Sequence, residues 1–390
     1  MKNSIKKRKI CFVITSFIHY SRNILVLEEL RRRKNVELHI LIGGPALLSK
    51  YTSRNSQVKE LLLKEGFKNI HEIYFNLEGD VHVVKAKSTG LGIIEFANSF
   101  NDIKPDIVII RGDRFEVLSA AIAAAYMNIP VAHIEGGDRT GTIDESVRHA
   151  ITKISHIHFA TNKPAFQRII KMGEDKNYVF NFGSPDVEIV HKIANGKHKI
   201  DFEKVGSGAP FKLNEEFLMV MFHPVSSEVE HSARNTRILL KAVKNFDKPV
   251  LWFWPNIDAG AEEIAHELRV FKDKTQNHKI HFMRYIQPKE FIYLLRHTNC
   301  LIGNSSAGIK ECSYLGIPVV NIGNRQGRRL RAKNVIDVDL EPQNIDKAIR
   351  HQLKVGSYKS SALYSGNNTA RNIAKILSSI PLYIQKSFNG

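Results

Sequence analysis

Short apolar runs of strand length alternate with amphipathic segments of helical length along this whole chain, and that alternation is the tightest limit on its fold. In the first half the strand-like runs fall at residues 10–15, 36–42, 70–75, 106–110, 130–134, 157–161 and 178–182. Helix-like stretches lie between them at 22–34, 58–64, 88–100, 115–127, 145–153 and 163–172. Repetition of this kind predicts right-handed crossovers and a parallel sheet covered on both faces. Over residues 195–214 the pattern lapses into Gly, Lys, Pro and Ser, the composition of a linker. It resumes with strands at 217–222, 250–253, 280–283, 300–302, 319–322 and 335–338, and with helices that include 233–245, 288–297 and 307–315. The expectation is an α/β protein of two Rossmann-like domains whose parallel sheets face across a cleft. The first covers 1–194, the second 215–365, and a last helix within 366–385 crosses back to the first. A chain of 390 residues is long enough for both.

The most informative stretch is 131–150. Val131 to Ile134 reads as a buried strand that ends at Glu135, and Gly136-Gly137 turns the chain. Thr142 has the look of a helix N-cap, with Glu145 completing a capping box. The helix that follows carries Asp144, Arg148 and His149 in its first turns. Asp144 alone suits the helix dipole, and Asp144 with Arg148 suits a plain surface pair. Acids, an arginine and a histidine converging on a Gly-rich turn make a candidate active site instead. Asp113 and Arg114 follow the strand at 106–110 and reach the same kind of edge, where open α/β sheets bind ligands.

The second half offers an anion site. Asn304-Ser305-Ser306-Ala307-Gly308 follows a strand and opens a helix, so Ser305, Ser306 and free amides can hold a phosphate. Glu311, on the first turns of that helix, is placed to accept from ribose hydroxyls. An ordinary Ser N-cap with a helix acid fits these residues equally well. His223 ends the first strand of the second domain and would face the cleft near Ser305 and Ser306. Asn256, in Trp254-Pro255-Asn256-Ile257-Asp258-Ala259-Gly260, adds polar groups to the same rim. No G-x-x-x-x-G-K-[ST] occurs and no G-x-G-x-x-G follows a strand, which weighs against a P-loop and a nicotinamide dinucleotide.

Composition narrows the partners. Hydrophobic residues at 43% and charged residues at 25% describe a soluble globular protein. The formal net charge of +18 would suit nucleic acid, a membrane surface or an anionic small molecule. Its cations are scattered in short clusters (Lys6 to Lys9, Arg31 to Lys34, Arg328 to Lys333) of the sort that line solvated faces. No RNP-type sequence, Cys/His finger or aromatic–basic ladder accompanies them, so no nucleic-acid partner is expected. The most apolar run, 117–127, is too short for a bilayer and reads as a buried helix; no membrane partner is expected. No signal peptide is predicted, because the apolar run 10–14 is far too short. Three cysteines without a CxxC argue for a reducing, cytoplasmic setting and against a zinc site.

Taken in order, a set of motifs completes the reading. They are Gly112-Asp113-Arg114-Phe115, His133-Ile134-Glu135-Gly136-Gly137, Gly141-Thr142-Ile143-Asp144-Glu145, Phe222-His223-Pro224, Pro255 to Gly260, and Gly303-Asn304-Ser305-Ser306. Together they resemble the hydrolysing UDP-N-acetylglucosamine 2-epimerases of sialic-acid-type sugar biosynthesis, over about residues 10–334. The resemblance implies a GT-B fold with the nucleotide held mainly by the C-terminal domain. It also implies elimination of UDP to a glycal, then hydration to N-acetylmannosamine, with no metal or redox cofactor, in a dimer or tetramer. By motif position Asp113, Glu135 and Asp144 are the catalytic carboxylates, with His223 beside them at the diphosphate. Ser305, Ser306, Glu311 and Arg325 would bind diphosphate and ribose. Arg114, Arg148 and Asn256 would lie near the phosphates or sugar. Three acids at one rim repel one another and push at least one pKa upward. The Arg-Ala-Asp-Tyr-type turn usual after the first strand is replaced by Phe17-Ile18-His19-Tyr20, leaving Arg22 or His19 to stand in for the arginine. That departure keeps open a UDP- or GDP-linked 2,4-diacetamido-2,4,6-trideoxyhexose of the bacillosamine type. A GT-B glycosyltransferase, which shares the nucleotide site but needs no triplet of acids, is the other alternative.

Overall fold

The computed structural model describes residues 7–47, 58–79, 81–193, 200–256, 258–275, 278–283 and 286–389. Residues 195–199 of the expected linker, Lys6 and Ile257 lie outside them. The first half runs β1 (Arg8–Ile14), α1 (Phe17–Arg31), β2 (Val36–Gly43), α2 (Val58–Lys64), β3 (Ile70–Ile73), α3 (His82–Ile103), β4 (Ile107–Arg111), α4 (Phe115–Tyr126), β5 (Val131–Ile134), α5 (Asp144–Ile154), β6 (Ile157–Ala160), α6 (Lys163–Lys171), β7 (Val179–Asn181) and α7 (Pro185–Ile193). The second runs α8 (Phe202–Val205), β8 (Gly206–Gly208), β9 (Leu218–Met221), α9 (Ser232–Lys244), β10 (Val250–Phe253), α10 (Ala261–Lys274), β11 (Ile280–Met283), α11 (Pro288–His297), β12 (Cys300–Gly303), α12 (Ser306–Ile309), α13 (Glu311–Leu315), β13 (Val319–Ile322), β14 (Val335–Val338), α14 (Pro342–Val355) and α15 (Thr369–Ser379).

The first sheet has the order β3-β2-β1-β4-β5-β6-β7 and is parallel throughout. The second has the order β14-β13-β12-β9-β10-β11-β8, parallel except for β8, which pairs antiparallel with β11. The segment read as linker therefore supplies an edge strand to the second sheet. Both orders reverse direction once, between β1 and β4 and between β9 and β12. Crevices at such switch points are where this architecture binds ligands.

Alternate residues of β1 serve two cores, as strand geometry requires. Ile10, Phe12 and Ile14 pack with the residues of α1 and α15, while Cys11 and Val13 pack under α3 and α4. The second sheet divides in the same way, with Val220 and Trp252 on one face and Met219 and Leu251 on the other. Ala370, Ile373, Ala374 and Leu377 of the last helix pack in the core beside β1 and α1. Arg8 donates to the Leu377 carbonyl at 2.8 Å and Asn35 to that of Ser378 at 3.0 Å. Among the described residues no helix is long and apolar enough to cross a membrane.

Local departures bear on the site. The helix expected from Arg22 begins at Phe17, because Ser16 takes extended backbone angles and its side chain accepts from the His19 N–H. The capping box at Thr142 does not form. Ile143 is the cap, the Thr142 hydroxyl donates to Asp144 at 3.0 Å, and Glu145 reaches back to the Thr140 N–H at 2.6 Å. The single helix expected over 307–315 is two short ones that meet at Lys310.

Because the last helix belongs to the first core, Leu377→Ala should cost about 2–5 kcal/mol. A lower urea midpoint at an unchanged m value is the expected reading.

Candidate active site

β1 and β4, which flank the first switch point, and the neighbouring β5 end in charged or polar turns. β4 closes on Arg111, followed by Gly112 at φ +80° and then Asp113. β5 closes on Ile134, and Glu135 follows at φ +74°, a left-handed conformation that disfavours any side chain. At Gly136 a Cβ would come within 2.9 Å of both His133 Nδ1 and Thr152 Oγ1, so only glycine lets the loop turn there. Beyond β1, α1 brings His19 and Arg22 to the same rim.

Glu135 is held by cations. Arg111 donates to it through Nη2 at 2.9 Å and Nε at 3.1 Å, Lys310 pairs with it, and Arg329 lies 3.8 Å away. Burial works against its charge, but Lys310, Arg111 and Arg329 prevail and hold its carboxyl well below the usual range. Asp186, in the first turn of α7, is fully buried between Arg111, Lys310 at 3.3 Å and Arg22 at 3.7 Å. Burial opposes its charge too, yet Arg111, Lys310 and Arg22 bring it down to about 2. Asp113 pairs with Arg148 and is also lowered, against burial, by Arg148 and Arg329. Asp144 differs: burial raises its pKa, and Asp113 and Asp258 raise it further. The upward shift expected of three crowded acids thus falls on Asp144 alone of the three.

The second half supplies the facing wall. His223 follows β9 and is locked by Asn304, which accepts from its N–H and donates to its carbonyl, each at 2.8 Å. Its Nδ1 accepts from the Asn256 N–H at 3.3 Å, which leaves the ring proton on Nε2. Burial and Arg325 push the imidazole down to about 3, so it stays neutral. Ser305 caps α12 by accepting from the Ala307 N–H at 3.3 Å. Ser306 accepts from Arg22 at 3.3 Å, and Glu311 pairs with Arg22 at 2.7 Å. Arg325 donates to the Asn304 carbonyl at 3.1 Å and faces Asp258 at 3.8 Å.

Two adjoining cavities open between the halves. The larger, about 620 Å³, is lined by Arg22, His223, Asn256, Ser305, Ser306, Glu311 and Arg325, with an apolar side of Phe253, Trp254, Ile286 and Phe291. The smaller, about 140 Å³, is lined by His19, Arg111, Asp113, Arg114, Glu135, Asp144 and Arg329. Phe17, Ile18, Arg22, Asn256, Ser306 and Arg325 line both, so the two form one cleft. Its larger part falls within the range of small-molecule sites. Among the described residues no group of three His, Cys, Asp or Glu side chains is placed to hold a metal ion.

Every predicted site residue except Arg148 faces this cleft. Arg148 is fully buried behind Asp113, donates to the Asp138 carbonyl at 2.9 Å, and lines neither cavity. Arg114 is at the wall but engaged, with Glu116 at 3.0 Å and Asp258 at 3.2 Å. Sequence reasoning missed Arg111, Asp186, Lys310 and Arg329. Arg329 sits in a basic cluster read as a solvated face, yet it is 8% exposed and turned towards Glu135. Arg111 had a readable signal, since it ends the strand that carries Asp113.

Two Rossmann-like sheets with a nucleotide-sized cleft at their switch points define a protein of the GT-B class. The chain belongs to the UDP-N-acetylglucosamine 2-epimerase family, which it matches over residues 28–378. It is 31% identical over 378 residues to the hydrolysing UDP-N,N'-diacetylbacillosamine 2-epimerase of Legionella pneumophila, covering 97% of each chain. It is 31% identical over 345 residues to the UDP-N-acetylglucosamine 2-epimerase of Neisseria meningitidis, covering 88% of this chain and 87% of that one. Identity is 32% over 346 residues to the hydrolysing GDP/UDP-N,N'-diacetylbacillosamine 2-epimerase of Campylobacter jejuni, with 88% and 87% covered. The fold matches the crystal structure of the Methanocaldococcus jannaschii UDP-GlcNAc 2-epimerase in complex with UDP-GlcNAc and UDP. There the TM-score is 0.74 at 20% identity, covering 95% of this chain and 99% of that one. This chain is therefore an enzyme of the sugar-nucleotide 2-epimerase type, with hydrolysing enzymes among its relatives.

The buried ion cluster makes a direct prediction. Arg111→Met leaves Glu135 and Asp186 without their shared guanidinium and should lower stability by about 3–5 kcal/mol. Adding Asp186→Asn should recover part of that loss in chemical denaturation, because one of the two stranded charges is gone.

Proposed function

We propose that this protein hydrolyses UDP-N-acetylglucosamine with inversion at C2, releasing UDP and N-acetylmannosamine. One observation carries the reading: a small cavity walled by three carboxylates opens directly into a larger one walled by Ser305, Ser306, His223, Glu311 and Arg325. The diphosphate takes hydrogen bonds from the two serines and the Nε2–H of His223, with Arg325 and Arg22 as cations, and the ribose hydroxyls donate to Glu311. That places C1 and C2 of the sugar in the smaller cavity.

The reaction balances in two steps. The C2 proton moves to a carboxylate, the C2–H electron pair forms a C1–C2 double bond, and the C1–O bond breaks with its own pair leaving on UDP. Water then adds its hydroxyl to C1, and a proton goes to C2 on the opposite face. Charge growing on the diphosphate needs fixed donors and cations, which the larger cavity supplies. Proton transfer near neutral pH is best served by a carboxyl whose pKa is raised, and Asp144 fits that description. Glu135 and Asp113 stay ionised and stabilise positive charge at C1 as the leaving group departs. Arg148 and Arg114 hold Asp113 and Asp258 in place.

A second reading has its own observation. Phe17 and Ile18 put apolar groups on the walls of both cavities, which suits a UDP- or GDP-linked 2,4-diacetamido-2,4,6-trideoxyhexose with its methyl group and second acetamide. Family membership favours either 2-epimerase over a glycosyltransferase. The free product suits sialic-acid-type biosynthesis in the cytoplasm, consistent with three buried free thiols. A homo-oligomer is supported by exposed Val83, Leu91 and Ile94 on α3.

Incubation with a panel of UDP- and GDP-linked 2-acetamido sugars should release UDP from UDP-GlcNAc and yield free N-acetylmannosamine. Absence of nucleotide release from every member ends the proposal, and preference for the diacetamido sugar moves it to the second reading. Glu135→Gln and Asp144→Asn should each cut kcat by about 10²–10⁴-fold while UDP affinity holds. Glu311→Ala should instead weaken UDP binding by about 10–100-fold in calorimetry. The pH dependence has a fixed sign. A step that uses Asp144 as base is lost as pH falls through its raised pKa. Asp258→Asn removes one of the acids that raise it, so the acid limb of kcat should move to lower pH.

A further inference from the structure

The bend at Lys310 (φ −101°, ψ −67°) separates α12 from α13 and turns the lysine away from its own half of the molecule. Its side chain is 0% exposed. The ammonium meets Glu135 and, at 3.3 Å, Asp186, both of them residues of the first half. The same short segment carries the wall of the larger cavity: the Lys310 N–H donates to the Ser306 carbonyl at 3.1 Å, and Glu311 follows directly. An ammonium stripped of water is stable only beside anions. Lys310 can hold this place only while the halves are together.

We propose that Lys310 is a positioning residue that ties the charge on Glu135 to closure of the cleft over the nucleotide. The inference rests on the 2-epimerase reading and adds to it a coupling between the two cavities. The groups facing Glu135 come from several elements. Arg111 and Asp113 follow from β4, Asp186 from α7, neutral His19 from α1, and Lys310 and Arg329 from the second half. Separation of the halves removes Lys310 and Arg329 together and leaves Arg111 to be shared between Glu135 and Asp186. Glu135 then binds a proton more readily. Nucleotide seated at Ser306 and Glu311 holds the segment that carries Lys310, and so holds Glu135 in its ionised form for the chemistry.

The test compares Lys310→Met with Lys310→Arg in the full-length enzyme, using UDP-GlcNAc as substrate and UDP as ligand. Lys310→Met should lower kcat by about tenfold or more and move its acid limb to higher pH, with UDP affinity within about threefold of wild type. Lys310→Arg should restore most of both. An unmoved limb in Lys310→Met, or no rescue by arginine, overturns the inference and leaves a structural role. An infrared measurement separates this outcome from failure of the epimerase reading itself. A protonated-carboxyl band should grow in Lys310→Met at mildly acidic pH and vanish in Lys310→Met/Glu135→Gln. Its absence counts against the inference whether or not any sugar nucleotide turns over. If Lys310→Met does not fold, Lys310→Gln carries the same measurements, since its neutral amide can still donate to Glu135.

Discussion

A charge taken out of water must find its counter-charge in the protein, and around Glu135 that requirement is met only by both halves of the chain at once. Arg111 and Asp186 belong to the first half, Lys310 and Arg329 to the second, and all four are nearly or fully buried. As a source of net stability such a cluster is weak, because apolar groups of equal volume would serve as well or better. What it supplies is geometry. Strand ends from two separate sheets are held at one spacing, with the carboxylates on one side of the cleft and the serine-lined segment on the other.

The same arrangement explains why three similar acids behave differently. Glu135 and Asp113 follow strands and lie against guanidinium groups, so their charge is stabilised despite burial. Asp144 begins a helix, faces Asp113 and Asp258, and accepts one hydroxyl hydrogen bond. Two carboxylates whose charge is favoured by cations and one whose pKa is raised suit the proposed elimination and hydration. The division follows from which acids are ion-paired, and that depends on the fold rather than on spacing along the chain. Arg111 pairs with Glu135 and Arg148 with Asp113, whereas at Asp144 burial, Asp113 and Asp258 outweigh Arg325.

This boundary also separates what could be read from the chain and what could not. Strands such as Val250–Phe253 and Ile280–Met283 were legible because parallel strands covered on both faces are mostly apolar. Ser305 and Ser306 were legible because a strand-to-helix turn is a local feature. Asp186 was not, since the short helix Pro185–Ile193 that carries it went unread and its partners lie far away in sequence. Lys310 and Arg329 were read as helix and surface because nothing near them in the chain reveals that a buried acid of the other half is their partner. Arg148 failed in the opposite sense. Its spacing from Asp144 suggested a pair on one helix face, but the side chain turns inward to Asp113.

The altered first loop brings a cation to the cleft from further along α1. Where an arginine was expected after β1, the chain has Phe17, and extended Ser16 starts the helix there. That early start places His19 against the carboxylate cavity and carries Arg22 to Ser306 and Glu311. A cation from the first half therefore still reaches the anion-holding segment of the second, from further along the helix. Phe17 and Ile18 are left to line the walls of both cavities. On the proposed reading the loop keeps a cation for the diphosphate and sets apolar side chains beside the sugar. On that reading specificity for the sugar can drift without disturbing the elimination chemistry, because Phe17 and Ile18 lie on α1 while the carboxylates follow β4 and β5 and begin α5.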